Sequence, residues 1–282
     1  MPPNLLFRQL IHSGPRLLLG LLVFLAGLRC AAPAWAQDDT LRVAERRLQP
    51  ASLRPGLRQY LVYLQNPAAP KKLRLWRWLR DVHPTAYHGA PAVEVPQHWY
   101  GSDTTLYRTI RSLNRAADFA PLYHRETVAG KTRAYNWSSS QVERADSVPG
   151  NQAGAAVLAL RAPSFNGNLD IETLEQLPLA AGKAFVIYFL DAGQATPVYH
   201  RYQVVGRETL TLLDHRRVAC WKLIAAGTLP DGTSYTQTFW LSRRGHEFLR
   251  EVDHYGQQLY RYKVKLPAAA PDVRPRFLLN ST

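Results

Sequence analysis

The chain has 282 residues, 46% of them apolar, a length that suits one large β domain or two small ones. Its 35 Lys and Arg outnumber 21 Asp and Glu, giving a formal net charge of +14 that attracts anions in general. No block of five or six like charges appears, which excludes a concentrated basic tail and leaves the excess as a bias scattered along the chain.

Arg8 and Arg16 lead into Leu17–Leu28 (LLLGLLVFLAGL), an uninterrupted apolar run, and Ala34-Trp35-Ala36 forms a small-residue cleavage site. A retained membrane anchor needs about 20 apolar residues, and this run is too short. Residues 1–36 therefore read as a signal peptide, with the mature chain starting at Gln37 and no transmembrane span after cleavage. The compartment is then periplasmic or secreted. Cys30 follows Arg29, where a lipidation signal carries a small residue, so no lipid anchor is expected. Cys220 remains alone, an intramolecular disulfide is excluded, and the fold must stand on its core. Export makes nucleic acid a poor partner. Anionic lipid headgroups or glycolipid phosphates suit the basic surface better.

Residues 37–54 are polar and proline-bounded and read as a flexible lead-in. From 55 to 266, short apolar runs alternate with turn residues in what reads as a single antiparallel β domain. The first runs are QYLVYLQ (59–65), KLRLWRWLR (72–80), AVEVPQHWY (92–100), TLYRTIRSL (105–113), PLYHRETV (121–128), TRAYNWSS (132–139) and AAVLALR (155–161). Rich in Tyr, Trp, Val, Ile and Thr and bounded by Gly, Pro, Asn and Asp, they predict strands. Ala129-Gly130-Lys131 predicts a hairpin turn.

A short helix is predicted in NLDIETLEQLPL (168–179). Asp170 can cap it, Glu172 sits in its first turn, and Pro178 stops it. Ile171, Leu174 and Leu177 form its apolar face, so Glu172 and Glu175 read as the solvated face and not as paired catalytic carboxylates. Then KAFVIYFLD (183–191), YHRYQVVG (199–206), ETLTLL (208–213), VACWKLIAAG (218–227), SYTQTFWLS (234–242), HEFLREVD (246–253) and LYRYKVKL (259–266) predict an antiparallel meander. Pro230-Asp231-Gly232, Arg244-Gly245 and Tyr255-Gly256 supply its turns. In the last strand Tyr260, Tyr262, Val264 and Leu266 are predicted to face in, with Arg261, Lys263 and Lys265 facing out. Residues 267–282 carry too many prolines for either periodicity and read as a disordered tail.

The order LEQLPLAAGKAFVIYFLD, a strand pair, CWKLIAAG, TFWLSRRGHEFLREVD and a Tyr-rich strand resembles a domain-of-unknown-function family of secreted bacterial proteins. Those proteins are in turn similar to the periplasmic lipoprotein-carrier group, in which a curved antiparallel sheet wraps short helices. The likeness covers roughly residues 160–265. It implies that half-barrel fold and an envelope compartment, and it points to a hydrophobic-ligand role. Its phrases carry no known catalytic residue, and this chain lacks the lipobox of many envelope carriers.

HEFLREVDH (246–254) carries two histidines and three carboxylates, the residue types of a metal site. Yet the position four after His246 is Arg250, and His246 and His254 stand about 26 Å apart on a strand or about 12 Å on a helix. Two ligands of one zinc each lie about 2 Å from the metal, so no site is expected. Phe248 and Val252 are predicted to share one face, and Glu247, Leu249, Glu251 and Asp253 the other. Cys220 with His215 and Asp214 has the types of a cysteine nucleophile at the wrong spacing, and reads as a small buried apolar residue. His83, His88 and His98 fall within 16 residues, in a segment that Pro84 and Gly89 make loop-like, and a surface cluster is the expectation. No GxSxG, glycine-rich phosphate loop or paired CxxC is present. Neither a metal nor a cofactor is expected.

The fold class that emerges is mainly β: a curved antiparallel sheet or open half-barrel, built as a meander, with one or two short helices packed against it. The chain reads as a non-enzymatic module that binds or carries an acyl chain or other apolar envelope ligand. Trp76, Trp78, Trp99, Trp221, Trp240, Tyr260 and Tyr262 are its candidate apolar concave face. The alternative is a structural or protein-interaction component of the envelope, with a filled core and an envelope protein as partner.

Overall fold

A computed structural model describes residues 38–71, 73–101, 107–229, 231–256 and 259–274. The leader, its cleavage site, Cys30, Pro230 and the end of the tail lie outside the described residues. Strand β1 (Asp38–Leu41) precedes β2 (Gly56–Gln65), β3 (Arg74–Tyr87), β4 (Ala90–Gly101), β5 (Arg108–Arg115), β6 (Pro121–Val128), β7 (Lys131–Trp137), β8 (Gln141–Arg144), β9 (Leu158–Ala159) and β10 (Phe165–Asn166). Helix α1 (Asp170–Glu175) follows, then β11 (Ala184–Leu190), β12 (Val198–Thr211), β13 (Arg217–Thr228), β14 (Ser234–Ser242), β15 (Phe248–Tyr255) and β16 (Leu259–Lys265).

Tight turns join neighbouring strands, and two of them carry a glycine that accepts positive φ. His88 and Gly89 (φ 50° and 78°) turn β3 into β4, and Ala129 and Gly130 (φ 47° and 76°) turn β6 into β7. These two-residue turns match the right-handed twist of the strands. The β3–β4 hairpin is longer than predicted and absorbs Pro84, which the sequence places in a loop. Pairing with β2 ends at Val82, so beyond it β3 has a free edge where a residue without an N–H is tolerated. The run 155–161 yields only the two-residue β9.

Among the described residues, sixteen strands form one sheet in the order β1-β11-β12-β13-β14-β15-β16-β2-β3-β4-β5-β6-β7-β8-β9, with β10 also beside β11. The meander β11–β16 and the meander β2–β9 join where β16 pairs antiparallel with β2. Only β1 and β10 run parallel, along successive parts of β11. The sheet is open, since β9 does not pair with the β11 edge. Side chains span that seam: Leu190 packs with Trp137 and Val142, and the Tyr135 hydroxyl lies against Gly193. Residues 38–54 are not a loose lead-in. They add β1 to the sheet edge and bury Leu41, Val43, Leu48 and Leu53 in the core. The stretch 267–274, expected to be unpacked, is held against β2 and β3. Gln59 donates to the Ala270 carbonyl, Arg77 to the Pro271 carbonyl, and Arg274 pairs with Asp81.

The interior is filled. Leu169, Ile171, Leu174 and Leu177 pack with Tyr60, Val62, Trp78 and Val95 from one meander and Phe185, Tyr202, Leu223, Phe239 and Phe248 from the other. Contacts on all sides bury residues 171–175 of α1, and this corrects the solvated face assigned to Glu172 and Glu175. Glu172 pairs with buried Arg80, and Glu175 with Arg58 at 2.5 Å. Glu175 also accepts the Phe248 N–H at 2.8 Å, so the helix is tied to strands of both meanders. A six-residue helix has little stability of its own, and tertiary contacts hold it.

Two facing assignments are reversed. The β14–β15 register slips between Trp240 and Leu241, so that Trp240 opposes Arg250 and Leu241 opposes Phe248. The bulge at Leu249 shifts strand parity by one residue. Phe248, Glu251 and Asp253 therefore point inward, while Leu249 and Val252 pack outside with Leu210, Cys220 and Trp240. In β16 the alternation is real but inverted: Lys263 is buried and bonds Glu251 at 2.7 Å, and Arg261 pairs with Asp253 at 2.5 Å. Tyr260 and Tyr262 lie outside, stacked on His254 and Tyr63. Among the described residues no helix is long and apolar enough to cross a membrane.

Candidate functional site

Strand parity sends a polar set as well as an apolar one into the concave side. On β3 the alternation that turns Trp76 and Trp78 inward turns Arg80 inward too, and across the ladder it brings Gln97 and Trp99 of β4 beside them. Arg108 and Ile110 of β5, Glu126 of β6 and Arg133 of β7 continue the row. Arg261 and Lys263 of β16 close one side, and Asn168, Asp170, Asp191 and Gln194 at the two ends of α1 and β11 close the other. Together they enclose a cleft of about 390 Å³.

The floor is rigid. Trp78 and Trp99 stack at 4.4 Å, and the Trp78 indole donates to Gln97 at 3.1 Å. The Arg80 guanidinium lies 4.5 Å over the Trp78 ring and the Lys263 ammonium 5.4 Å from it. Arg80 and Gln97 both donate to the Asn168 carbonyl, which locks the loop before α1 against the sheet. Most charges in the cleft are paired: Arg108 with Glu126, Arg80 with Glu172, Lys263 with Glu251 and Arg261 with Asp253. Burial raises the Glu251 carboxyl to about 8 against the pull of Lys263, and burial raises Glu175 to about 7 against the pull of Arg58. Arg133 is exposed, and neither it nor the Asp191 carboxylate has an ion-pair or side-chain hydrogen-bond partner among the described residues. Desolvation, with Asp170 second, raises the Asp191 carboxyl above its ordinary value. The indole nitrogen of Trp99 is a further donor without a partner among the described residues. The arrangement can bind a small molecule carrying both a negative and a positive group.

The seven aromatic residues expected on one apolar concave face do not come together. Trp76, Trp78, Trp99 and Trp221 face the interior, but only Trp78 and Trp99 line the cleft. Trp221 is core, with Arg207 and Arg243 over its ring. Trp240 packs outside, donating to Glu208 at 3.2 Å, and Tyr260 and Tyr262 are half-exposed on the outer face. The cleft is polar where an apolar surface was expected. Arg80 was legible, since it shares the parity of Trp76 and Trp78. Asp170 reads from the sequence only as a helix cap and Asp191 only as the end of a strand, and Gln194 lies in a loop, so none of the three is marked as a cleft residue by periodicity.

Other candidate chemistry is dispersed. His246 sits in the turn before β15 with φ 50°, and His254 stacks on Tyr260. His83 lies 3.4 Å from Glu94, His88 occupies a hairpin turn, and His98 contacts Tyr107. Among the described residues no group of three or more His, Cys, Asp or Glu is placed to hold a metal ion. Cys220 is buried on the outer layer, and burial pushes its thiol up to about 11. Asp214 instead pairs with Arg216.

One cluster escaped the sequence reading. Ser112 Oγ lies 3.0 Å from His124 Nδ1, and Asn166 donates to the same nitrogen at 3.2 Å. All three are wholly buried, so the cluster links β5, β6 and β10 with no route for a substrate. Burial lowers His124 to about 3, so the folded protein keeps it neutral. The unfolded chain takes up that proton near pH 6.5, and stability is lost as pH falls from there toward 3. Between pH 7 and pH 5 this group accounts for about 2 kcal/mol of lost stability. Urea unfolding of His124→Gln at both pH values is expected to show a pH dependence smaller by that amount.

In comparison with known proteins, the family model described as "Protein of unknown function (DUF3108)" matches residues 59–265. Among solved structures, a beta-barrel-like protein of domain of unknown function DUF1849 from Brucella abortus aligns at TM-score 0.49 and 13% identity, over 78% of this chain and 97% of that one. The hypothetical lipoprotein YmcC from Escherichia coli (K12) aligns at TM-score 0.30 and 12% identity, over 77% and 89%. No curated protein matches the chain in sequence.

Proposed function

The chain belongs to the DUF3108 family, whose function is unknown, and from that premise we propose that it is an exported, non-enzymatic binding module of the cell envelope. Its ligand is a small polar group of mixed charge held in the cleft between the two meanders. One observation carries this reading: Arg133 and Asp191, a cation and an anion, line a single cleft in which the other cations, Arg80, Arg108, Arg261 and Lys263, are each paired with a carboxylate. A phosphate or carboxylate suits the guanidinium, and an ammonium suits the carboxylate. The filled interior argues against an acyl chain wrapped inside the sheet. Phosphoethanolamine combines both charges in one headgroup-sized molecule and is a direct probe. Calorimetric titration of the purified protein is expected to show saturable binding that Arg133→Ala weakens by about tenfold, or about 1.4 kcal/mol. Absence of saturable binding by the wild-type protein overturns the reading.

A second reading, a protein-interaction component, is favoured by the outer surface. Tyr63, Tyr262, Tyr260 and His254 stack in a half-exposed row there, and Leu73 and Leu75 are exposed on β3 and just before it.

A further inference from the structure

We propose, resting on that reading, that the ligand is an amphiphile whose charged head lies in the cleft and whose alkyl chain runs along the open seam of the sheet. Where β9 faces the end of β11, a separate hollow of about 290 Å³ is lined by Tyr135, Val142, Val157, Leu158 and Leu190 among others. Gln194 lines both this hollow and the polar cleft, so the two adjoin. The backbone ladder does not close there: among the described residues no strand pairs with the outer edge of β9. An alkyl chain can lie along this hollow, over the side chains that span the seam, without displacing a strand-to-strand hydrogen bond.

The occupant follows from the two linings taken together. A wholly polar ligand leaves the apolar hollow in water, with Val157 54% exposed. A wholly apolar ligand leaves Arg133 and Asp191 unpaired beneath it, which is costly once water is displaced. A molecule with a charged head and one alkyl chain satisfies both. A second hollow adjoins the cleft at Glu126 and Arg133, by the β6–β7 turn. It carries Lys131 as well as those two charges, which makes it the poorer path for an alkyl chain.

The test titrates three probes below their micelle concentrations: phosphoethanolamine, hexanoyl lysophosphatidylethanolamine and dodecanoyl lysophosphatidylethanolamine. Wild-type protein is expected to bind the dodecanoyl probe at least about tenfold more tightly than phosphoethanolamine, with the hexanoyl probe between them. Val157→Asp, a change at an exposed position that leaves the core alone, is expected to remove that gain while keeping phosphoethanolamine affinity within about twofold. Affinity independent of chain length, or a gain that survives Val157→Asp, overturns this proposal and leaves the headgroup reading standing. No binding of phosphoethanolamine or of either lipid overturns both.

Discussion

Arg80→Met is expected to lower the unfolding free energy by about 3–5 kcal/mol, among the largest single-site losses in this protein. Arg80 is wholly buried and pairs with Glu172, itself wholly buried on α1. It also donates to the Asn168 carbonyl at 3.1 Å. Methionine preserves much of the aliphatic volume and removes the charge, so the carboxylate is left in an apolar interior without its partner. Two solvent-shielded charges cost more to separate than to delete together. The double variant Arg80→Met/Glu172→Leu is therefore expected to recover at least half of the loss. Denaturant unfolding of the four proteins in this cycle measures both effects. A loss below about 1 kcal/mol for Arg80→Met would place Glu172 in water, as helix periodicity alone suggests, and would refute the buried position of α1.

Phe248→Ala is expected to cost about 3–5 kcal/mol, whereas Val252→Ala costs roughly 1 kcal/mol. Strict alternation puts these two side chains on one face, four residues apart. The bulge puts them on opposite faces. Phe248 has its ring 5.4 Å from that of Tyr60 and is wholly buried against α1. Val252 is only half-buried, in the outer layer beside Trp240. Removing the phenyl ring leaves a cavity between the helix and the sheet that surrounding strands cannot close. Comparable losses at the two positions would mean that the β14–β15 register runs without the slip. Urea midpoints with unchanged m-values provide the measurement.

Strand positions and turns were readable because each depends on a few neighbouring residues. Gly130 accepts positive φ at little cost and marks the turn, and runs such as SYTQTFWLS are extended by their own side-chain sterics. Tyr235, Phe239 and Leu241 share a face with Gln237, as alternation predicts. Arg80 and Arg58 carry the same inward parity as Trp78 and Tyr60, so their direction was legible too, but their meaning was not. An arginine on an inward face becomes acceptable only when a carboxylate from another element meets it. Glu172 and Glu175 are 92 and 117 residues away from these partners in the chain.

The inversion of β16 has the same origin. Tyr260 and Tyr262 are the more apolar set, yet Glu251 and Asp253 of β15 draw Arg261 and Lys263 inward. Solvation by a specific ionic partner outweighs the average preference of each side chain. The cleft lies further still from local rules, since its lining joins β3–β7, β16 and the loops around α1 and β11.

The amino-acid sequence by itself determined that the chain is a run of mainly antiparallel strands with one short helix, and where most of them turn, because those properties are set within a few residues by backbone sterics and alternation. Which face of each strand is inside, that the helix is swallowed by the sheet with its acids paired, and that a mixed-charge cleft opens beside an apolar seam were decided only by tertiary structure. The reason is physical: a bulge changes parity by one residue, and a buried charge is stable only beside a partner that the chain delivers from far away.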